Sequence, residues 1–403
     1  MYELGALRAL EESIDGLSVT DAWSYVGVSA GSFLTACLAN GITVREMLAS
    51  VLRGERGEYS LTPDLFFKPA YAELARRGLK LPRLAVEALA MFAKYPGGRA
   101  AGEAISLLAQ ALPVGIFDNA PIRRFLAEIF ATGGRTDDFR KLRRPLTVVA
   151  ADLERGVPVR FGATGLDDVP ISLAVQASTA VPGVYPPVVV DGRRCVDGVL
   201  LKTVHASVAL EQGAELLFCI NPIVPVDVTS AVRSGLVPAD VLVALGLPAV
   251  LSQTFRTLIH SRLEVGLSRY SSRYPDADIV LLEPPHDEYA MFFANVFSFR
   301  SRVAICEQGY ASTRRDLRAR FNELAPVLSW HGLTLRRDVL DDTHRDLWQA
   351  AGLSVDVPRS SRSAPAAISA LSRALTRLEA AAEAGAPKAS TRRRPAARAR
   401  PPH

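Results

Sequence analysis

Cysteine is scarce, with four residues in 403 (Cys37, Cys195, Cys219 and Cys306) and no C-x-x-C pair. A chain this long and this poor in thiols is no disulfide scaffold, so small, reduced, buried cysteines in a cytoplasmic setting are expected. Long apolar runs are also missing. The longest, Leu236–Leu251, is 16 residues, is interrupted by Pro238, Asp240 and Pro248, and falls short of the roughly 20 that span a bilayer. Met1-Tyr2-Glu3-Leu4 offers neither a basic nor an apolar leader region, so no signal peptide is expected. No G-x-G-x-x-G follows a strand, no phosphate-binding P-loop is present and no His/Cys cluster has metal spacing, so neither cofactor nor metal is expected.

An even charge distribution is lacking as well. The formal net charge is +5 and the pI about 9.1, yet residues 359–403 hold ten Lys/Arg against two Asp/Glu. That stretch carries +8 and leaves −3 on residues 1–358. The basic pI belongs to a tail, which removes the case for a basic nucleic-acid-binding domain, and no specific nucleic acid is expected. What remains is ordinary for a globular protein, with 49% hydrophobic and 22% charged residues. The length exceeds the roughly 250–300 residues of one core, so one large domain plus extra material is expected.

Leu4, Ala6, Leu7 and Leu10 are spaced for a helix over residues 1–12. Trp23–Val26 is β-prone and runs directly into Gly27-Val28-Ser29-Ala30-Gly31, after which helical chemistry resumes and stops at Asn40-Gly41. Residues 43–130 read as mostly helical, punctuated by Pro82, Pro96-Gly97-Gly98 and Pro113. Pro145–Ala151, Val157–Phe161, Leu216–Ile220 and Asp278–Leu282 read as strands, and Val188–Val196 as a hairpin turning at Asp191-Gly192. Strands alternating with helices predict an α/β fold with a largely parallel sheet flanked by helices. From about residue 226 the chain reads as mainly helical, with one further strand near 278–282. Residues 359–403, rich in Ala, Pro and Arg, read as a disordered basic tail. Ile368, Leu371, Leu375 and Leu378 suit a short amphipathic helix within it.

Two motifs bear chemistry. In Gly27-Val28-Ser29-Ala30-Gly31 a tight strand-to-helix turn forces Ser29 into a strained conformation and lifts its hydroxyl to a helix N-terminus. The flanking glycines are expected to remove Cβ clashes, and the Ala30 amide can stabilise an oxyanion. In Val196-Asp197-Gly198-Val199 an acid at a strand end is able to face a nucleophile, although an Asp-Gly pair is ordinarily only a turn.

Five stretches, YELGALRALEE (2–12), YVGVSAGSF (25–33), GIFDNAPIRRFL (115–126), AADLERGVPVRF (150–161) and ASTAVPGVYPPVVVDGRRCVDGVL (177–200), occur in one order. Together they resemble the patatin-like phospholipases. That resemblance implies a patatin-like catalytic domain over residues 1–225, a nucleophile elbow near its N-terminus, and a Ser–Asp dyad in which Ser29 is the nucleophile and Asp197 the proton acceptor. It also implies a lipid or acyl-ester substrate. Two departures stand out. The family's D-G-G or D-G-A is Asp197-Gly198-Val199 here, and a β-branched valine disfavours a left-handed backbone. The strand and Gly-rich oxyanion loop that the family carries ahead of its first helix are also not seen in the sequence. An upstream start is expected, and the coding frame before Met1 would reveal it.

Of the six histidines, His205 follows Asp197 by eight residues, so an α/β-hydrolase triad is conceivable. That fold usually sets several strands before its elbow, so a structural histidine is the preferred reading. Leu65-Phe66-Phe67 and Met91-Phe92 read either as core packing or as an acyl-chain site. A solvated tail is the first reading of Arg392–Arg394, Arg398 and Arg400; peripheral attraction to an anionic membrane is the second. The leading expectation is a serine lipid acyl hydrolase. The alternative is a catalytically impaired lipid-binding or scaffold protein.

Overall fold

Seven consecutive buried residues, Leu146–Asp152, form the strand around which the sheet is built. Its unbroken burial, in place of alternation, marks a strand covered on both faces. The computed structural model describes residues 1–53, 61–94, 98–201, 204–287 and 301–353. In chain order the strands are β1 (Ile14–Asp15), β2 (Tyr25–Val28), β3 (Leu146–Asp152), β4 (Val157–Phe161), β5 (Val188–Val190), β6 (Arg193–Asp197), β7 (Leu216–Ile220), β8 (Asp278–Leu282) and β9 (Thr334–Leu335). The order β2-β3-β6-β5, with β4 also on β3, makes the central sheet. Strands β7 and β8 form a second sheet, and β1 with β9 a third.

The architecture is mixed α/β with a central sheet, and one expectation needs correction. The central sheet is not largely parallel. Only β2 pairs parallel to β3, whereas β4 and β6 pair antiparallel to β3, and β5 antiparallel to β6. Short connections decide the β3–β4 and β5–β6 pairings. Residues 153–156 join β3 to β4, with Gly156 at φ 66°, and Asp191-Gly192 (φ 47° and 76°) joins β5 to β6. Positive φ at both central residues suits a tight hairpin. Strands separated by long helical crossovers, β2 from β3 and β7 from β8, pair parallel.

Helices Ala30–Ala39 and Ile171–Ser178 pack against β3, and the main core gathers around them. Helix Tyr2–Ser13 lies along helix Arg302–Ala319. Their backbones approach so closely that a Cβ at Gly5 would sit 2.0 Å from the Cys306 carbonyl, and one at Gly309 2.1 Å from the Tyr2 carbonyl. This crossing and the β1–β9 pair bind the C-terminal helices to the N-terminal ones, and residues Met1–Val355 form one compact unit. All four cysteines are free and buried, with Cys37, Cys219 and Cys306 pushed up to about 12 by burial. Among the described residues no helix is long and apolar enough to cross a membrane. The basic tail with its expected short helix, the Pro96-Gly97 break and the Met91 and Phe92 side chains lie outside what the structure describes.

Candidate active site

The register of β3 brings the two motifs together. Val28 of β2 pairs with Val149, and Asp197 of β6 pairs with the next residue, Ala150. Val148 and Ala150 also pair with β4, at Phe161 and Val159, so β2 and β6 share the opposite edge of β3. They run toward each other along that edge and meet end to end. The chain must leave the sheet at both ends, at Ser29 and at Gly198. Crowding at this junction explains the glycines. A Cβ at Gly198 would meet the Val149 carbonyl at 2.5 Å, and one at Gly27 would meet Thr35 Oγ1 at 2.1 Å. Gly31 differs from the expectation, because its nearest neighbour would be Glu3 Oε1 at 3.9 Å and there is no clash to relieve. Val199 sits in the 3-10 turn Gly198–Leu200 and is not among the positive-φ residues, so its branched side chain is accommodated.

Ser29 has φ 53° and ψ −130°, a conformation costing of order 1–3 kcal/mol unless its surroundings impose it. They do so through both of its peptide groups. The Ser29 N–H donates to Ser178 Oγ at 2.9 Å, and Ser178 Oγ donates to the Val149 carbonyl at 2.7 Å. The Ser29 carbonyl accepts from Ser32 N at 2.9 Å and from Ser32 Oγ at 2.5 Å. Ser178 therefore ties the turn to the β3 residue that faces Val28. Sequence reasoning missed it, since a serine closing a helix gives no hint that it is buried against a strand. Ala30 opens the next helix and is exposed, so its amide belongs to the first helical turn, where N–H groups lack intrahelical partners.

Asp197 is fully buried. Its Oδ1 accepts from the Val199 N–H at 2.9 Å, while Oδ2 has no hydrogen-bond partner among the described residues. Burial pushes the carboxyl up to about 6 against the lesser opposing influence of the Ser29 hydroxyl and the Val199 amide. The Ser29 hydroxyl is thus near enough to favour the ionised carboxylate without completing a hydrogen bond to Oδ2. Such contacts commonly close only when substrate binds.

Because the folded-state pKa is raised, folding takes up a proton between about pH 4 and pH 6. The Asp197 contribution to stability is full below that window and is lost as pH rises through about 6. A reaction using Asp197 as base follows the opposite course. We predict that kcat/KM rises with pH to a plateau, with its midpoint near 6; a profile flat from pH 4.5 to 8 would contradict a catalytic Asp197.

Two cavities meet at Ser29. The smaller, about 470 Å³, is apolar and lined by Phe33, Met47, Phe66, Phe67 and Phe125 beside Ser29 and Ala30. Of the expected acyl-site residues, Phe66 and Phe67 line it, whereas Leu65 is buried in the main core. The larger, about 1010 Å³, lies between β2 and β7, lined by Ser24–Val26 and Val28 on one side and Leu216–Ile220 on the other. Among the described residues β2 pairs only with β3, and β7 only with β8, so a strand edge on each side is unpaired. His205 is buried, and its Nε2 lies 3.3 Å from the Gly198 carbonyl. A carbonyl only accepts, so the imidazole donates there and supports the turn after Asp197. Among the described residues no group of three or more His, Cys, Asp or Glu could hold a metal ion.

Residues 1–210 match the family model for patatin-like phospholipases. Among solved structures the chain is similar to VipD from Legionella pneumophila, with 15% identity and a TM-score of 0.33. That alignment covers 78% of this chain and 64% of VipD, so the chain spans under two thirds of that protein's length.

Proposed function

The chain belongs to the patatin-like phospholipase family, and on that premise we propose that it is a serine acyl hydrolase of lipid esters, of the phospholipase A or lysophospholipase type. Ser29 is the nucleophile, Asp197 its proton acceptor, and no third residue takes part. Asp197 takes the Ser29 hydroxyl proton as Oγ attacks the ester carbonyl. The Ala30 amide, at the positive end of its helix, donates to the oxyanion. The tetrahedral adduct collapses, the alcohol departs with the proton from Asp197, and the acyl group stays on Ser29. Asp197 then deprotonates a water that attacks the acyl-enzyme, and the fatty acid leaves as Ser29 regains its proton.

The observation that carries this reading is the end-to-end meeting of β2 and β6 on one edge of β3, with Ser29 and Asp197 at the junction. The strained Ser29 backbone, typical of a nucleophile elbow, supports it. So does the apolar cavity beside Ser29, which suits an acyl chain.

Incubation with phosphatidylcholine and with lysophosphatidylcholine tests the reading. Fatty acid should be released from at least one of them, by way of an acyl group carried on Ser29. Lipid binding without any fatty acid release would favour the non-hydrolytic alternative.

A further inference from the structure

Helix Leu247–Arg273 is the longest described and buries only Ile259 and Leu263. Its outer side is apolar. Leu247, Leu251, Phe255, Leu258 and Val265 are 68%, 45%, 51%, 57% and 50% exposed. At 100° per residue these five fall within a sector of about 80°. Arg262, Arg269 and Arg273 continue the same sector toward the C-terminus and are all exposed. The helix holds four arginines and one acid, Glu264, which lies outside that sector. Exposed apolar residues aligned this way mark a docking surface. The helix is fastened beside the catalytic turn, because Arg262 Nη1 donates to the Leu200 carbonyl at 3.1 Å, three residues beyond Asp197. Arg256 lines the larger cavity that reaches Ser29.

We propose that this face docks on a bilayer carrying anionic phospholipids. Leu247, Leu251, Phe255 and Leu258 enter the boundary between headgroups and acyl chains, while Arg262, Arg269 and Arg273 meet phosphates. The choice of a lipid surface as occupant rests on the arginine continuation of the stripe together with the lipid-ester reading of the adjoining site. Docking there would present lipid esters to the cleft without requiring the basic tail.

The test is co-sedimentation of the full chain with vesicles, in a Ser29→Ala background so that lipid stays intact. One vesicle is phosphatidylcholine alone and the other contains a minority of phosphatidylglycerol. The chain should bind both, the phosphatidylglycerol vesicle more tightly. Leu251→Glu with Phe255→Glu should weaken binding at least about tenfold, and Arg269→Gln should narrow the preference for phosphatidylglycerol. The Glu double variant, carrying native Ser29, should hydrolyse a water-soluble short-chain ester at the parent rate. That control reads the active site without docking, so failure of hydrolysis and failure of docking are told apart. Equal vesicle binding by the double variant would assign the contact to the tail or another surface and overturn the proposal. Absence of parental binding would overturn it too, as would a parental dimer that the double variant abolishes while vesicle binding persists.

Discussion

Replacing Ser29 with alanine is expected to lower ester turnover by about 10³-fold or more, with the fold unchanged. The residual rate is what substrate binding and oxyanion donors supply without a nucleophile. The fold should survive because the unusual Ser29 backbone is held through its peptide groups, by Ser178 and Ser32, and not through its hydroxyl. Alanine faces the same penalty at φ 53° as serine does, so no new strain arises. The variant has a second consequence. The Ser29 hydroxyl is the larger of the two influences that hold the Asp197 pKa down against burial. Its removal should move the carboxyl titration, followed by NMR, upward from about 6. An unchanged turnover rate in Ser29→Ala would remove the nucleophile assignment.

The second large effect concerns Asp197→Asn. Loss of the general base should reduce kcat/KM by about 10²–10⁴-fold near neutral pH. The asparagine Oδ1 can still accept the Val199 N–H, so the turn after β6 keeps its anchor. Above pH 6 the parent must hold an ionised carboxylate in a fully buried site, and asparagine removes that cost. The variant is therefore expected to melt at a higher temperature than the parent at pH 8, with the difference vanishing near pH 4, where the parent carboxyl is neutral. Loss of activity with a gain of stability is the mark of a functional group held against its own solvation preference. Loss of both, measured at pH 8 by assay and by thermal melting, would instead make Asp197 a structural residue.

Much of this was legible locally. The run from Trp23 through Gly31 announces a strand, a sharp turn and a helix, and β2 with its following helix takes that form. Strands Val157–Phe161, Leu216–Ile220 and Asp278–Leu282 occupy the residues their composition suggests, as does the hairpin at Asp191-Gly192. Pairing partners were not legible. Whether β6 adds to β3 in the same or the opposite sense depends on where a hairpin docks, a property of the packed sheet and not of either segment. The expectation of a largely parallel sheet failed there. The convergence of Ser29 and Asp197 has the same origin, since neither motif reveals that two strands will share one edge of β3. The clash argument for the flanking glycines holds at Gly27 and not at Gly31, because only Gly27 packs against the backbone and side chains of the following helix. His205 places its imidazole on the Gly198 carbonyl, the kind of contact a structural histidine makes.

The central claim is that Ser29 is a nucleophile activated by Asp197. Labelling with a fluorophosphonate, followed by mass spectrometry of the peptides, addresses it directly. The account predicts a single adduct on Ser29, formed with a pH dependence centred near 6 and far more slowly in Asp197→Asn. An adduct on another serine, or labelling of Ser29 that proceeds equally well without the Asp197 carboxylate, would contradict it.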